Sequence, residues 1–316
     1  MEGAELAIIR DVVRTRPLET VAPYVGNDPH GAPTSATSVW HYTSAAGVLG
    51  ILQNNELWAS SPITMNDLSE INYGIDIFYR AWSDVDRSFL DPELRAFVER
   101  IFEEPVAWFK SRSFYILCAS RSGDLLNQWQ GYTDGQGYAV QIATHVPLAL
   151  RVPEEFVQES GFGPGNWYDV VYDETLQLEL ARSVLTYALK TDFRITPEGP
   201  VVSGTLFSRI SQVAARFKNA AFSAEREVRY IQSEYPEMLP AFRQNGRSIT
   251  PFVKIVSGNC FVRPSDLQSK LPIVSVTLGP GGSHQGDVAR QVLIDLMSAC
   301  GYFPEVSLSS IPFRPS

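Results

Sequence analysis

Cysteine and histidine are scarce in this chain of 316 residues: three of the first (Cys118, Cys260, Cys300) and four of the second (His30, His41, His145, His284). The cysteines are odd in number, far apart and form no C-x-x-C pair. That excludes a disulfide framework or zinc ribbon and fits reduced thiols in a cytoplasmic protein. So few histidines leave no supply for a histidine-rich site, and no metal is expected. No apolar run approaches the roughly 20 residues of a membrane helix, and Glu2 and Glu5 stand where a secretory signal would be basic, so no membrane segment is expected. Positive charge is also short: a net charge of -9 and a pI near 5.0 argue against bulk attraction to nucleic acid or anionic lipid.

What is present is core material. The apolar fraction of 44% and aromatic fraction of 11% support a sizeable interior. Residues 1–15 carry a short amphipathic pattern, and residues 16–38, with four prolines, read as an irregular connector. From residue 39 to 316 one α+β domain is the economical reading. Its opening stretch, Trp40 to Ser44, predicts a strand end, with a helix to Leu52 capped by Thr43 or Ser44, and a second strand at Leu57–Ser60 returning beside the first. Asp67 with Glu70 resembles a capping box for a helix through Tyr73. Residues 91–110 read as helix, and Phe114–Ser120 as a central strand. Further strands are expected at 137–142, 167–172, 252–256 and 273–278, and helices at 175–190, 204–220 and 287–297. Glu225–Ile231 alternates like a strand with one charged face.

Familiar motifs are absent. The glycines at 279, 281 and 282 match neither a phosphate loop nor a dinucleotide fingerprint, and Ser120 and Ser223 lack a nucleophile elbow. Two features stand out instead. His41-Tyr42-Thr43-Ser44 lies at a strand tip before a helix N-terminus, a place that suits anionic ligands. Glu225 and Glu227 would share one face of a strand, with Arg226 and Arg229 available to match them.

Taken together, His41–Ser44, Ile51-Leu52 with Leu57-Trp58, Asn66-Asp67-x-x-Glu70, Cys118-x-Ser120, Trp129-x-x-Tyr132, Lys218 with Phe222-x-x-Glu225-x-Glu227-x-Arg229, and Leu278-Gly279-Pro280 resemble the bacterial domain-of-unknown-function 2971 family, from Val39 to about Met297. That family in turn looks like a divergent branch of the ADP-ribosyltransferase superfamily. The resemblance implies a split mixed β-sheet core with flanking helices and NAD as substrate. It assigns Glu227 and Glu225 as catalytic carboxylates, with the choice between them open. It assigns His41, Tyr42, Thr43, Asn66 and Tyr73 to NAD, with Trp129 and Tyr132 as a rival aromatic platform for nicotinamide. The role implied is a toxin or antiphage effector with an antitoxin or immunity partner. Its acceptor would be protein or nucleic acid, the latter if Arg209, Arg216, Lys218, Arg226 and Arg229 form a basic surface. A non-catalytic nucleotide- or partner-sensing module of the same fold, or an NAD glycohydrolase, is the alternative. In any of the catalytic readings a carboxylate is wanted, because the transition state for leaving nicotinamide is oxocarbenium-like.

Overall fold

From Ser38 onward, short strands and helices follow in close succession. They are β1 (Ser38–Thr43), α1 (Ala45–Asn54), β2 (Leu57–Ser60), α2 (Leu68–Ser83), α3 (Pro92–Glu103), β3 (Phe114–Ser120), α4 (Leu126–Thr133), β4 (Tyr138–Ala143), β5 (Leu148–Arg151) and β6 (Asn166–Asp169). Next come α5 (Glu174–Thr191), β7 (Phe193–Thr196), β8 (Gly199–Val202), α6 (Thr205–Ala214), β9 (Glu227–Ser233), β10 (Ala241–Asn245) and β11 (Ser248–Ser257). The chain ends with β12 (Phe261–Val262), β13 (Ile273–Leu278), α7 (Ser283–Ala299) and β14 (Glu305–Leu308). The computed structural model describes residues 33–62, 68–103, 114–133, 137–156, 164–202, 205–233, 240–245, 248–280 and 283–312. The expected helix over 1–15, most of the connector, Asn66 and Asp67 lie outside the described residues.

The result is an α+β fold built on one large mixed sheet. Its order is β12-β5-β11-β2-β3-β1-β4-β13-β14, with β10 on β11, β9 on β3 and β6 on β9. β3 is the axis, and its bulky apolar run is buried on both faces. One edge of β3 is zipped along its whole length to β9. The other edge is divided: β2 meets it at Ser60–Ile116 and β1 at Trp40–Ser120. The sheet therefore forks, and β2 does not return beside β1 as the sequence pattern suggested. β1 pairs instead with β4 over six residues, and β2 with β11.

Two packed regions flank the axis. Inside the fork, Val39, Leu52, Leu57, Leu117, Val140, Val228 and Ile255 share a core closed by α1 and α7. On the opposite side, α2, α5 and α6 pack together through Ile77, Phe78, Leu185, Ile210 and Phe217. A Cβ on Gly74 would stand 2.3 Å from the Ala214 carbonyl oxygen, so a side chain there would force α2 away from the end of α6. That close approach brings Glu70, one turn earlier on α2, towards the segment that follows α6. Among the described residues, no helix is long and apolar enough to cross a membrane.

Candidate functional site

The chain leaving α6 runs to Lys218, makes a 3-10 turn over Ala220–Glu225, and enters β9 at Glu227. Asn219 caps the turn by accepting from the Ala221 amide. Arg226 closes it in the left-handed region at φ 49°. Glu225 and Glu227 thus do not share a strand face: one ends a turn and the other begins a strand. Even so, the reversal at Arg226 aims both carboxylates at one cation. Lys218 Nζ lies 2.8 Å from Glu225 Oε2 and 3.1 Å from Glu227 Oε2.

The turn is fastened to the end of β3. Ser120 Oγ donates to the Glu225 carbonyl at 2.7 Å, and the Arg121 amide donates to the Arg226 carbonyl at 2.9 Å. Ser120 is therefore a positioning group, which explains its spacing from Cys118 without any nucleophilic role. The Tyr172 hydroxyl accepts from the Glu227 amide at 2.9 Å. Gln177, fully buried on α5, donates to the carbonyls of Val171 and Lys218.

A third carboxylate joins them. Glu70 Oε1 stands 2.6 Å from Lys218 Nζ, and its other oxygen accepts from Arg229. Arg229 also grips Glu227 through Nε at 2.7 Å and Nη2 at 2.9 Å, and donates to the Ala215 carbonyl. Glu70 is thus an ion-pair partner; the capping box read with Asp67 lies outside the described residues. Among the described residues three carboxylates face two cations, a net charge of -1.

Burial grades the members. The Glu227 side chain is 4% exposed and sealed, whereas that of Glu225 is 19% exposed. Burial alone would raise the Glu227 pKa, but Arg229 and Lys218 overturn that and hold it at about 2. Burial would likewise lower Lys218 and Arg229, and the neighbouring glutamates raise both instead. Burial and the Glu227 charge push the Cys118 thiol up, so it stays protonated and hydrogen-bonds to Glu227.

On its backbone side Cys118 reaches the fork. The His41 imidazole, on β1, lies with Nδ1 2.8 Å from the Cys118 carbonyl oxygen. A carbonyl can only accept, so Nδ1 carries the proton and Nε2 is left as an acceptor. Burial pushes the His41 pKa down, so the ring is neutral near pH 7. Cys118 thereby links the opening strand's imidazole to the late strand's carboxylate.

Other expected residues lie elsewhere. Tyr42 is buried: its hydroxyl donates to the Ser122 carbonyl, accepts from the Leu125 amide, and its ring packs edge-on to Trp129 at 4.7 Å. Trp129 is fully buried and donates to Asp124, so it offers no stacking face. Tyr73 donates to Gln177 between α2 and α5, turned to the helical layer by its place on α2. Thr43 points at the first turn of α1, where its Oγ1 would clash with any Cβ on Gly47. Ser44, not Thr43, caps α1. Of the aromatic candidates, Tyr132 alone is half exposed and lies within electrostatic reach of Glu227, Lys218 and Glu225; burial first, then Cys118 and the two glutamates, raises its pKa, and Lys218 opposes them. The Phe222 ring, also exposed, lies 5.0 Å from Lys218 Nζ.

The expected basic surface does not form. Lys218, Arg216 and Arg229 are buried, Arg209 pairs with Asp192, and of the five only Arg226 faces solvent. No family model matches the chain, and neither a curated protein nor a solved structure matches it. Fold and site define an α+β protein with a buried, net-negative ion cluster at the end of its central strand.

Proposed function

We propose that this chain is a cytoplasmic ADP-ribosyltransferase that moves ADP-ribose from NAD to a macromolecular acceptor, as a toxin or antiphage effector whose host would need an antitoxin or immunity partner. The observation that carries the reading is the convergence of Glu70, Glu225 and Glu227 on Lys218 and Arg229 with one negative charge in excess. In the transfer, the bond between ribose C1′ and the nicotinamide nitrogen breaks, and its electron pair leaves with nicotinamide. The acceptor's nucleophile then bonds to C1′ and gives up its proton. Positive charge develops on the ribose between those events, and a fixed negative group beside it stabilises the transition state more than the ground state.

Within the cluster, Glu225 is the carboxylate able to touch substrate, because it keeps exposed surface and shares only Lys218 among the described residues. It would stabilise the ribose and take the acceptor's proton. Glu227, sealed and doubly paired, is a positioning residue that fixes Lys218 and Arg229. Tyr132 supplies the exposed aromatic face against which nicotinamide would stack. His41 Nε2 would accept from a ribose hydroxyl.

Nicotinamide release from NAD by the purified chain is the test. Glu225→Gln is expected to lower kcat by about a hundredfold to a thousandfold with KM little changed. A chain that neither binds NAD nor releases nicotinamide with protein, nucleic acid or water as acceptor would refute the reading. One observation favours a second reading, a nucleotide-sensing module of the same fold: both oxygens of Glu227 are occupied by cations. Calorimetric binding of NAD without nicotinamide release would select it. Free ADP-ribose, with water as acceptor, would select an NAD glycohydrolase.

A further inference from the structure

One cation near the fork has no acidic partner among the described residues. Arg243, on β10, extends over β2, where Nη2 donates to Ser60 Oγ at 2.8 Å and the guanidinium lies 5.6 Å from the Trp58 ring centroid. Its Nε is buried and has no hydrogen-bond partner among the described residues. Directly across the ladder stands Thr250 on β11, fully buried, whose hydroxyl is also unpartnered. Residues opposed in an antiparallel pair share a face, so two orphaned polar groups sit side by side. The aromatic beneath it is already engaged: Trp58 packs at a tilt on Phe252 with ring centroids 4.3 Å apart and donates to Glu56, which pairs with Arg151 and Lys254. Burial lowers the Arg243 pKa with no carboxylate among the described residues to offset it, and its charge helps keep His41 neutral.

An unmatched guanidinium is costly to bury unless an anion completes it. Guanidinium with a neighbouring hydroxyl suits the oxygens of a phosphate, which Arg grips by two N–H groups at once. The place also fits. Ser60 is bridged to Ile116, two residues along β3 from the Cys118 carbonyl that holds His41. We infer that Arg243, Thr250 and Ser60, at the fork beside His41, form a binding site for the phosphate groups of a nucleotide. Only the nucleotide's identity as NAD rests on the function proposed above; the phosphate site does not.

The experiment follows the His41 imidazole by NMR in the intact chain, assigned with His41→Asn, while inorganic phosphate and then ADP-ribose are added. A bound anion beside it favours the protonated ring, so the His41 pKa is expected to rise with either probe. Arg243→Gln should weaken ADP-ribose binding at least about tenfold, and Thr250→Val by a smaller factor. An unmoved His41 titration at saturating probe overturns the inference, as does Arg243→Gln binding like the parent. Phosphate binding at Arg243 without nicotinamide release keeps this site and removes the transferase reading. Nicotinamide release with unchanged kinetics in Arg243→Gln does the reverse.

Discussion

The ion cluster under α2 and the guanidinium at the fork lie on the same side of β3. Ser60 faces Ile116 and Glu227 faces Ser120 across their ladders, and alternate residues of a strand share a face. Four residues of rise separate them, roughly 13 Å at about 3.3 Å per residue. In the first region every charge has a partner and the excess is negative. In the second the cation has, among the described residues, only a hydroxyl and a ring. Ions matched by ions hold helices and sheet together, whereas an unmatched ion contributes no such tie and is free to take a ligand. The contrast predicts opposite responses to mutation and to acid.

Removing a partner from the matched region has the largest effect. Arg229→Leu leaves Glu227 and Glu70 short of a cation inside the protein, and a buried pair broken in this way costs roughly 3–5 kcal/mol. Urea denaturation should show that loss as a lower midpoint with an unchanged slope. A loss below about 1 kcal/mol would mean that water reaches Glu227 freely and that the cluster is not the tie described here.

Acid separates the two regions on the pH axis. Glu227 is held at about 2 against an ordinary value of 4.5, so the native state binds its proton more weakly than the unfolded chain does. The stability it confers is complete above 4.5 and drains as pH falls towards 2. His41 is lowered from 6.5 by burial, so its neutral form favours the fold and stability begins to fall as pH drops below 6.5. Denaturation midpoints between pH 7 and pH 3 should therefore decline in two stages. His41→Asn should remove the upper one, and Glu227→Gln should flatten the lower one while reducing stability throughout.

How much of this the residues announced depends on how local the cause is. The run Phe114–Ser120 was legible as a central strand because seven successive apolar or small side chains admit little else. The α+β class followed from similar runs. β5, β7, β8, β10, β12 and β14 went unread, being two to five residues long, too short for a period to show. The alternation of Glu225–Ile231 suggested a strand with one charged face, yet β9 is buried from Glu227 to Gln232, because its charges are matched by Glu70 and Lys218 on other elements. Glu70 lies 159 residues from Arg229, so only its local cap pattern was visible. Glu225 and Glu227, singled out together in the sequence, do converge on one cation, whereas Tyr42 and Trp129 turn into the core, since an aromatic in a motif gives no sign of which way it faces. Arg243 left no trace, as lacking a partner is a property of the folded chain alone.

The smallest effect belongs to the unmatched region. Arg243→Leu deletes one hydrogen bond to Ser60 but also one desolvated charge, and these terms oppose each other. Stability should stay within about 1 kcal/mol of the parent, against the several lost at Arg229. Arg229 is sealed and ion-paired, whereas Arg243 is only partly buried and has no acidic partner among the described residues, so burial and partnership both point to the smaller effect. If Arg243→Leu instead costs more than about 2 kcal/mol, the guanidinium is tying the β10–β11 hairpin to β2 in the way Arg229 ties α2 to β9. Its geometry would then be structural, and phosphate would have no vacancy to fill. If stability holds while phosphate protection against urea disappears, the cation is kept for its ligand, because a site that gains nothing in the empty fold stabilises it only when occupied.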